Sequence, residues 1–184
     1  MRYYAGIGSR ETPPGILALM TRIAFRLACW GEPIQQSYFG DGFWLRSGHA
    51  PGADQAFENG AVWEGDPSFT SFLPWDGFEG GKIHEPGPFE YGVNERNDAI
   101  AEESHPAWDR LTQGARKLHS RNVAQILGRP GEPYSSFVIC WTKDGRATGG
   151  TGQAIRIADT FGIPVYNLHD QATRDRLQRF SGRS

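Results

Sequence analysis

Ser136-Phe137-Val138-Ile139-Cys140-Trp141, followed at once by Thr142-Lys143-Asp144-Gly145-Arg146-Ala147-Thr148-Gly149-Gly150-Thr151-Gly152, is the stretch that decides the fold. Its first six residues form a near-continuous apolar run, the pattern of a strand buried on both faces of a parallel sheet. The next eleven are polar and rich in glycine, and the spacing after them predicts a helix over Gly150–Phe161. Strand, glycine turn and helix make half of a βαβ unit, and the same half-unit recurs outward from it. Upstream, Arg2–Ile7 reads as a first strand. Thr12-Pro13-Pro14 then opens a helix to about Trp30, with Ile16, Leu19, Met20, Ile23 and Leu27 at helical spacing. Phe43–Arg46 follows as a second strand, Ala50–Glu64 as a helix, and Ser68–Leu73, closed by Pro74, as a third strand. Asn94–Glu103 and Ala107–Leu127 read as two helices or one broken helix, with Gly128 and Pro130 as the stop. Downstream lie a strand over Pro164–Leu168 and a helix over Asp170–Phe180 with Asp170 as its N-cap. This alternation predicts a parallel sheet covered by helices on both faces.

Composition agrees with a folded chain. The 184 residues are 38% hydrophobic and 22% charged, with 24 Gly and 12 Pro, which excludes disordered and collagenous classes and allows a real core. No apolar run approaches the roughly 20 residues needed to span a bilayer, and Met-Arg-Tyr-Tyr at the start lacks signal-peptide character, so a cytoplasmic location and no membrane partner are expected. Cys29 and Cys140 have no CxxC spacing and read as small buried hydrophobes. From residue 74 to 93 the chain is dense in Gly, Pro and aromatics, which predicts a functional loop or lid. Net charge is −2, but residues 1–50 carry +2, residues 51–103 carry −10 and residues 104–184 carry +6. Two differently solvated faces would produce this asymmetry, and so would a basic third that meets phosphates.

Glycine-bearing polar turns follow three of the strands, namely Gly6-Ile7-Gly8-Ser9-Arg10, Ser47-Gly48-His49-Ala50-Pro51-Gly52-Ala53-Asp54, and Thr142 through Gly152. In a parallel sheet all strand carboxyl ends lie on one edge, so these turns converge on one crevice, together with Leu73-Pro74-Trp75 from the third strand. Glycines let backbone N–H groups approach an anion, and the helix that follows points its unpaired amides at the same place. Gly149-Gly150-Thr151-Gly152 before Gln153 is the strongest case. Ser9, Ser47 and Thr151 add hydroxyls and Arg10 a cation. Trp75 is placed to stack on a base or to cap the core. Arg121-Asn122 is either a ligand contact or a surface pair.

Several chemistries are disfavoured. No third glycine completes G-x-G-x-x-G after Gly6-Ile7-Gly8, no Walker A lysine motif occurs, and no G-x-S-x-G elbow is present. The five histidines, at 49, 84, 105, 119 and 169, form no H-x-x-x-H pair, and neither a metal nor a cofactor is expected. Asp54 and Glu58 stand four apart on one helix face, the first near the crevice. They are the acid/base candidates if the protein is an enzyme, or a solvated helix face if it is not.

The order Ala5-Gly6-Ile7-Gly8-Ser9-Arg10, then Arg46-Ser47-Gly48-His49-Ala50-Pro51-Gly52-Ala53-Asp54, then Gly149-Gly150-Thr151-Gly152-Gln153 resembles the SLOG superfamily, which includes the DNA-processing protein DprA (Smf) and the LOG phosphoribohydrolases. The likeness extends to compact DprA-like proteins of bacteriophages and spans about residues 3–168. It implies one Rossmann-like, doubly wound α/β domain over residues 1–184, an oligomer of two or more copies, and a nucleotide or single-stranded nucleic acid as partner, in DprA-type proteins for recombination. The phosphate would meet Gly8–Arg10, Ser47–Ala53 and Gly149–Gln153, with Trp75, Arg121, Asn122 and Thr142 around it. LOG enzymes carry P-G-G-x-G-T-x-x-E. Here Thr148 stands for the proline, Gln153 for the threonine and Arg156 for the catalytic glutamate, so a LOG-like nucleoside-monophosphate N-glycosidase would need Glu58 or Asp54 instead. A sensor or sequestering protein for a nucleotide signal is the remaining reading.

Overall fold

A computed structural model describes residues 1–30, 42–63, 65–84 and 86–182. Six parallel strands form the main sheet: β1 (Arg2–Gly6), β2 (Phe43–Ser47), β5 (Phe69–Leu73), β6 (Phe89–Tyr91), β7 (Val138–Cys140) and β8 (Val165–Asn167). A small antiparallel hairpin, β3 (Val62–Trp63) with β4 (Asp66–Pro67), sits between β2 and β5 in the chain. The helices are α1 (Pro14–Ala28), α2 (Ala53–Gly60), α3 (Glu95–Glu103), α4 (Gln113–Leu127), α5 (Gly149–Thr160) and α6 (Gln171–Ser181). Strand order across the main sheet is β6-β5-β2-β1-β7-β8, the doubly wound α/β arrangement of Rossmann-like folds.

The pleat divides the core in two. Along the β7 segment, Ile139 and Trp141 face one side, where Tyr4, Leu45 and Phe57 meet the apolar stripe of α1 (Leu19, Met20, Ile23, Leu27). Val138 and Cys140 face the other, against Val123, Ile126 and Leu127 of α4 and Ala154, Ile157 and Ala158 of α5. Helices therefore cover both faces, as a strand apolar at every position requires. Burial pushes the Cys140 thiol up to about 12, and Cys29, expected to be buried, is only half-buried.

Helix ends follow their chemistry. Asn94, Thr112 and Asp170 accept hydrogen bonds from the N–H groups of Asn97, Ala115 and Thr173 and so cap α3, α4 and α6. Gly128, at φ 68°, ends α4. The expected helix over 107–127 starts later, because Thr112 caps it and Trp108–Arg110 forms a separate short turn. The helix expected over 50–64 is confined to Ala53–Gly60, and Glu64 lies outside the described residues. The 74–93 segment holds a short helical turn at Phe78–Gly80 and the strand β6, which pairs with β5 through Ser71 opposite Phe89. Among the described residues no helix is long and apolar enough to cross a membrane.

Candidate functional site

The chain leaves β1 for β2 on one side and later returns to add β7 on the other, so the carboxyl ends of β1 and β7 frame the switch point of the sheet. A cleft of about 660 Å³ opens there. Ile7, Gly8, Ser9, Arg10 and Glu11 line it from the turn after β1, Ala50 and Asp54 from the turn after β2, and Thr142, Lys143 and residues 148–151 from the turn after β7. The opposite wall is α4, through Leu118, His119, Arg121, Asn122 and Gln125, and Phe78 closes one side. Of the expected ligand residues, Gly8, Ser9, Arg10, Arg121, Asn122, Thr142, Gly149, Gly150 and Thr151 therefore share one cavity with Asp54. Ser47, Gly48, Gly52, Ala53, Gly152 and Gln153 do not line it and instead build the wall behind. Trp75 also lies off the cleft, 38% exposed and edge-on to Phe78 at 5.2 Å.

Close packing between the turns explains several glycines. A Cβ on Gly8 would stand 2.5 Å from the Cβ of Ala53, so the turn after β1 seats directly on the start of α2. Gly52, at φ 93°, lets the chain turn into α2 against the backbone of Ser9 and Arg10. A Cβ on Gly152 would fall 2.2 Å from the carbonyl carbon of Ala147, which folds the turn after β7 back on its own helix. By contrast, a Cβ on Gly150 would meet nothing within 4 Å. No side chain caps α2 or α5; in α2 the Gln55 N–H donates to the Ala50 carbonyl at 3.3 Å, whereas the first N–H groups of α5 are left for water or a ligand.

Arg121 is the buried cation of the site. Its Nη1 donates to Asp54 Oδ2 and to Gln125 Oε1, each at 3.2 Å, while its Nε and the Gln125 Nε2 are buried without a partner among the described residues. Asp54 also accepts from the Ala50 N–H at 3.3 Å. Burial raises the Asp54 carboxyl to about 6 against the opposing pull of Arg121, and burial likewise lowers the Arg121 guanidinium. Arg121 as a surface residue and the 54/58 pair as a solvated helix face are both overturned, because these side chains are almost wholly buried.

Glu58 faces away from the cleft and ties the turn after β2 to the sheet. Its Oε1 accepts from the His49 N–H at 3.0 Å and the Ser71 hydroxyl at 2.5 Å, and its Oε2 meets His49 Nδ1 at 2.6 Å. That contact raises the His49 pKa. His49 itself sits at φ 59°, a left-handed conformation that this tether holds in place. Ser47, fully buried, donates to the Asp54 carbonyl at 3.4 Å.

On the far wall Gln153 braces α4. Its Oε1 accepts from His119 Nδ1 at 2.6 Å and from Asn122 Nδ2 at 3.2 Å, and its Nε2 donates to the Ala101 carbonyl at 3.2 Å. Asn122 also donates to the Gly150 carbonyl at 3.3 Å, which joins α4 to the open end of α5. Thr142 is held by Asn167, whose Nδ2 donates to the threonine hydroxyl at 2.8 Å. On the rim, Arg10 lies 3.5 Å from Glu79 and Lys143 lies 3.0 Å from Glu11, both pairs exposed. Among the described residues no group of three His, Cys, Asp or Glu side chains could hold a metal ion. His119, Gln125 and Phe78 are among the cleft-lining residues that the sequence pattern did not single out. The first two share a helix face with Arg121 and Asn122, so helical spacing on α4 would have found them once Arg121 was placed inside.

No family model matches the chain, and no curated protein matches it in sequence. Among solved structures, the chain is similar to DNA processing protein A from Helicobacter pylori, a protein described by its single-stranded DNA binding mode, at 18% identity and a TM-score of 0.55, over 99% of this chain and 74% of that one. At that identity the likeness establishes a shared DprA-like fold.

Proposed function

We propose that the cleft binds a phosphate-bearing nucleotide unit, and that in the cell this unit belongs to single-stranded nucleic acid, with DNA in recombination as the DprA-like setting. The observation that carries the reading is the meeting, over one cavity at the switch point, of the open Gly149–Gly150 helix end with the buried Arg121. The structural neighbour's single-stranded DNA binding supports the nucleic-acid half of the reading. Titration with a labelled single-stranded oligonucleotide and, in parallel, with nucleoside monophosphates tests it. Gly150→Asp should weaken every phosphate ligand at least tenfold while leaving the fold intact, and affinity for the oligonucleotide should fall steeply with salt. A folded Gly150→Asp protein that binds as wild type does would refute it.

Asp54 gives an enzymatic reading its own observation, since a carboxyl protonated near pH 6 inside a nucleotide-sized cleft is placed for acid/base work in N-glycosidic cleavage. Glu58 is engaged by three hydrogen bonds and serves that role less well. Release of free base from a nucleotide panel, abolished in Asp54→Asn, would favour this reading. Tight stoichiometric binding without turnover would favour a sequestering protein.

A further inference from the structure

His119 stands on the cleft wall with its proton position decided by its neighbours. Gln153 Nε2 faces the Ala101 carbonyl, and only the amide nitrogen can donate there, so Gln153 Oε1 must be the atom that meets His119. An amide oxygen cannot donate, so the proton of the neutral imidazole sits on Nδ1. The Nε2 lone pair is then left bare, with no partner among the described residues, on a side chain that lines the cleft. Burial lowers the His119 pKa, helped by neighbouring His105 and the positive charges of Arg156 and Arg121, and it outweighs the Gln153 hydrogen bond, which acts in the other direction. His105, whose ring centroid lies 4.5 Å away, accepts from the Ala107 N–H through its own Nδ1 and so does not compete for Gln153.

We infer that His119 Nε2 is a built hydrogen-bond acceptor for the nucleoside part of the ligand, selecting nucleotides that present a donor, an exocyclic amine or a ribose hydroxyl, beside the bound phosphate. The inference rests on the reading of the cleft as a phosphate site. Geometry links the two places: Asn122, one turn along α4 from His119, bonds both Gln153 and the Gly150 carbonyl, so the acceptor stands next to the open end of α5. Gln153 is a positioning residue here, since it acts only by orienting His119 and Asn122. A phosphate alone would have no use for a neutral, tautomer-fixed acceptor, because an oxyanion calls for donors.

Calorimetric titration of the whole chain with adenosine, deoxyadenosine and purine riboside 5′-monophosphates tests this, with inorganic phosphate as the probe of the anion site. The adenosine and deoxyadenosine pair differs only in the 2′-hydroxyl, and the adenosine and purine riboside pair differs only in the exocyclic amine. Wild type should prefer the donor-bearing member of at least one pair by about fivefold. In His119→Leu, checked for an unchanged melting curve, that preference should shrink to within twofold while inorganic phosphate binds as before. Gln153→Glu should also remove the preference, because its carboxylate favours a protonated ring with no free acceptor. If this buried variant fails to fold, His119→Leu alone decides. Equal affinity within both pairs in wild type, or an unchanged preference in His119→Leu, would overturn the inference even with the phosphate site intact. Failure of every phosphate ligand to bind would instead remove the underlying reading and this inference together.

Discussion

Arg121 Nη1 lies 3.2 Å from Asp54 Oδ2, joining α4 to the start of α2 beneath the cleft, with each side chain only 5% exposed. The pair is an ion bridge that burial weakens from both ends. Removing two charges from water opposes their attraction, and for Asp54 the desolvation wins, as its carboxyl at about 6 records.

This gives stability a pH dependence with a definite sign. The folded-state value lies above that of an unfolded aspartate, near 3.9. Asp54 therefore favours the fold fully below about pH 4, and its contribution is lost as pH rises through about 6. Wild type measured against Asp54→Asn by urea denaturation should lose roughly 2 to 3 kcal/mol of relative stability between pH 4 and pH 7. A constant difference across that range would show that Asp54 titrates normally in the fold.

Gly48 exists for Arg121. A Cβ there would lie 1.2 Å from Nη1 and 2.9 Å from the Gln125 Nε2, and the guanidinium is too enclosed to swing aside freely. Gly48→Ala should destabilise the protein by about 3 kcal/mol, through overpacking and loss of the Asp54 bond. In an Arg121→Ala background the same change should cost less than about 1 kcal/mol, and this non-additivity, read from a double-mutant cycle, is the signature.

The sheet and its helices were legible from residue pattern because they are driven by local chemistry. The apolar 136–141 run marked a strand buried on both faces, which the structure confines to its Val138–Cys140 centre, and Asp170, Gly128 and Pro130 punctuate helices wherever they occur. What escaped is short or held by tertiary contacts. The β3–β4 hairpin has two residues per strand, and β6 has three residues within a loop-like composition, so neither carries a readable period. At the site, the glycine turns gave the edge, but the burial of Arg121 against Asp54 joins residues 67 positions apart. No spacing rule encodes that contact. The same holds for Glu58, whose partners lie on β5 and in the turn after β2.

Glu58 and His49 carry a second pH signature, of the same sign as that of Asp54 but from a base. The imidazole pKa is raised chiefly by its hydrogen bond to Glu58. That contact supports the fold fully below the unfolded histidine value of about 6.5, and the support is lost as pH rises through the folded value. In Glu58→Gln the His49 titration midpoint, followed by NMR, should fall, and stability at pH 6 should drop by about 2 kcal/mol as charge-assisted bonds to His49 and Ser71 weaken. An unmoved His49 midpoint would mean that the tether is not formed in solution.

Gly150 and Gly152 differ by two positions and should fail in different ways. Nothing stands within 4 Å of a Cβ on Gly150, so Gly150→Ala should melt within about 2 °C of wild type and Gly150→Asp should lose only phosphate ligands, by placing a carboxylate where the α5 amides point. A Cβ on Gly152 meets backbone of Ala147 at 2.2 Å, and backbone cannot rotate away as a side chain can. Gly152→Ala should therefore destabilise by about 2 kcal/mol or more and displace the whole 142–148 turn. Binding corrected for the unfolded fraction should still be weakened, because that turn carries Thr142 and Lys143 to the cleft. Normal stability in Gly152→Ala would show that the turn does not fold back on α5, and the anion site would then have to be built without it.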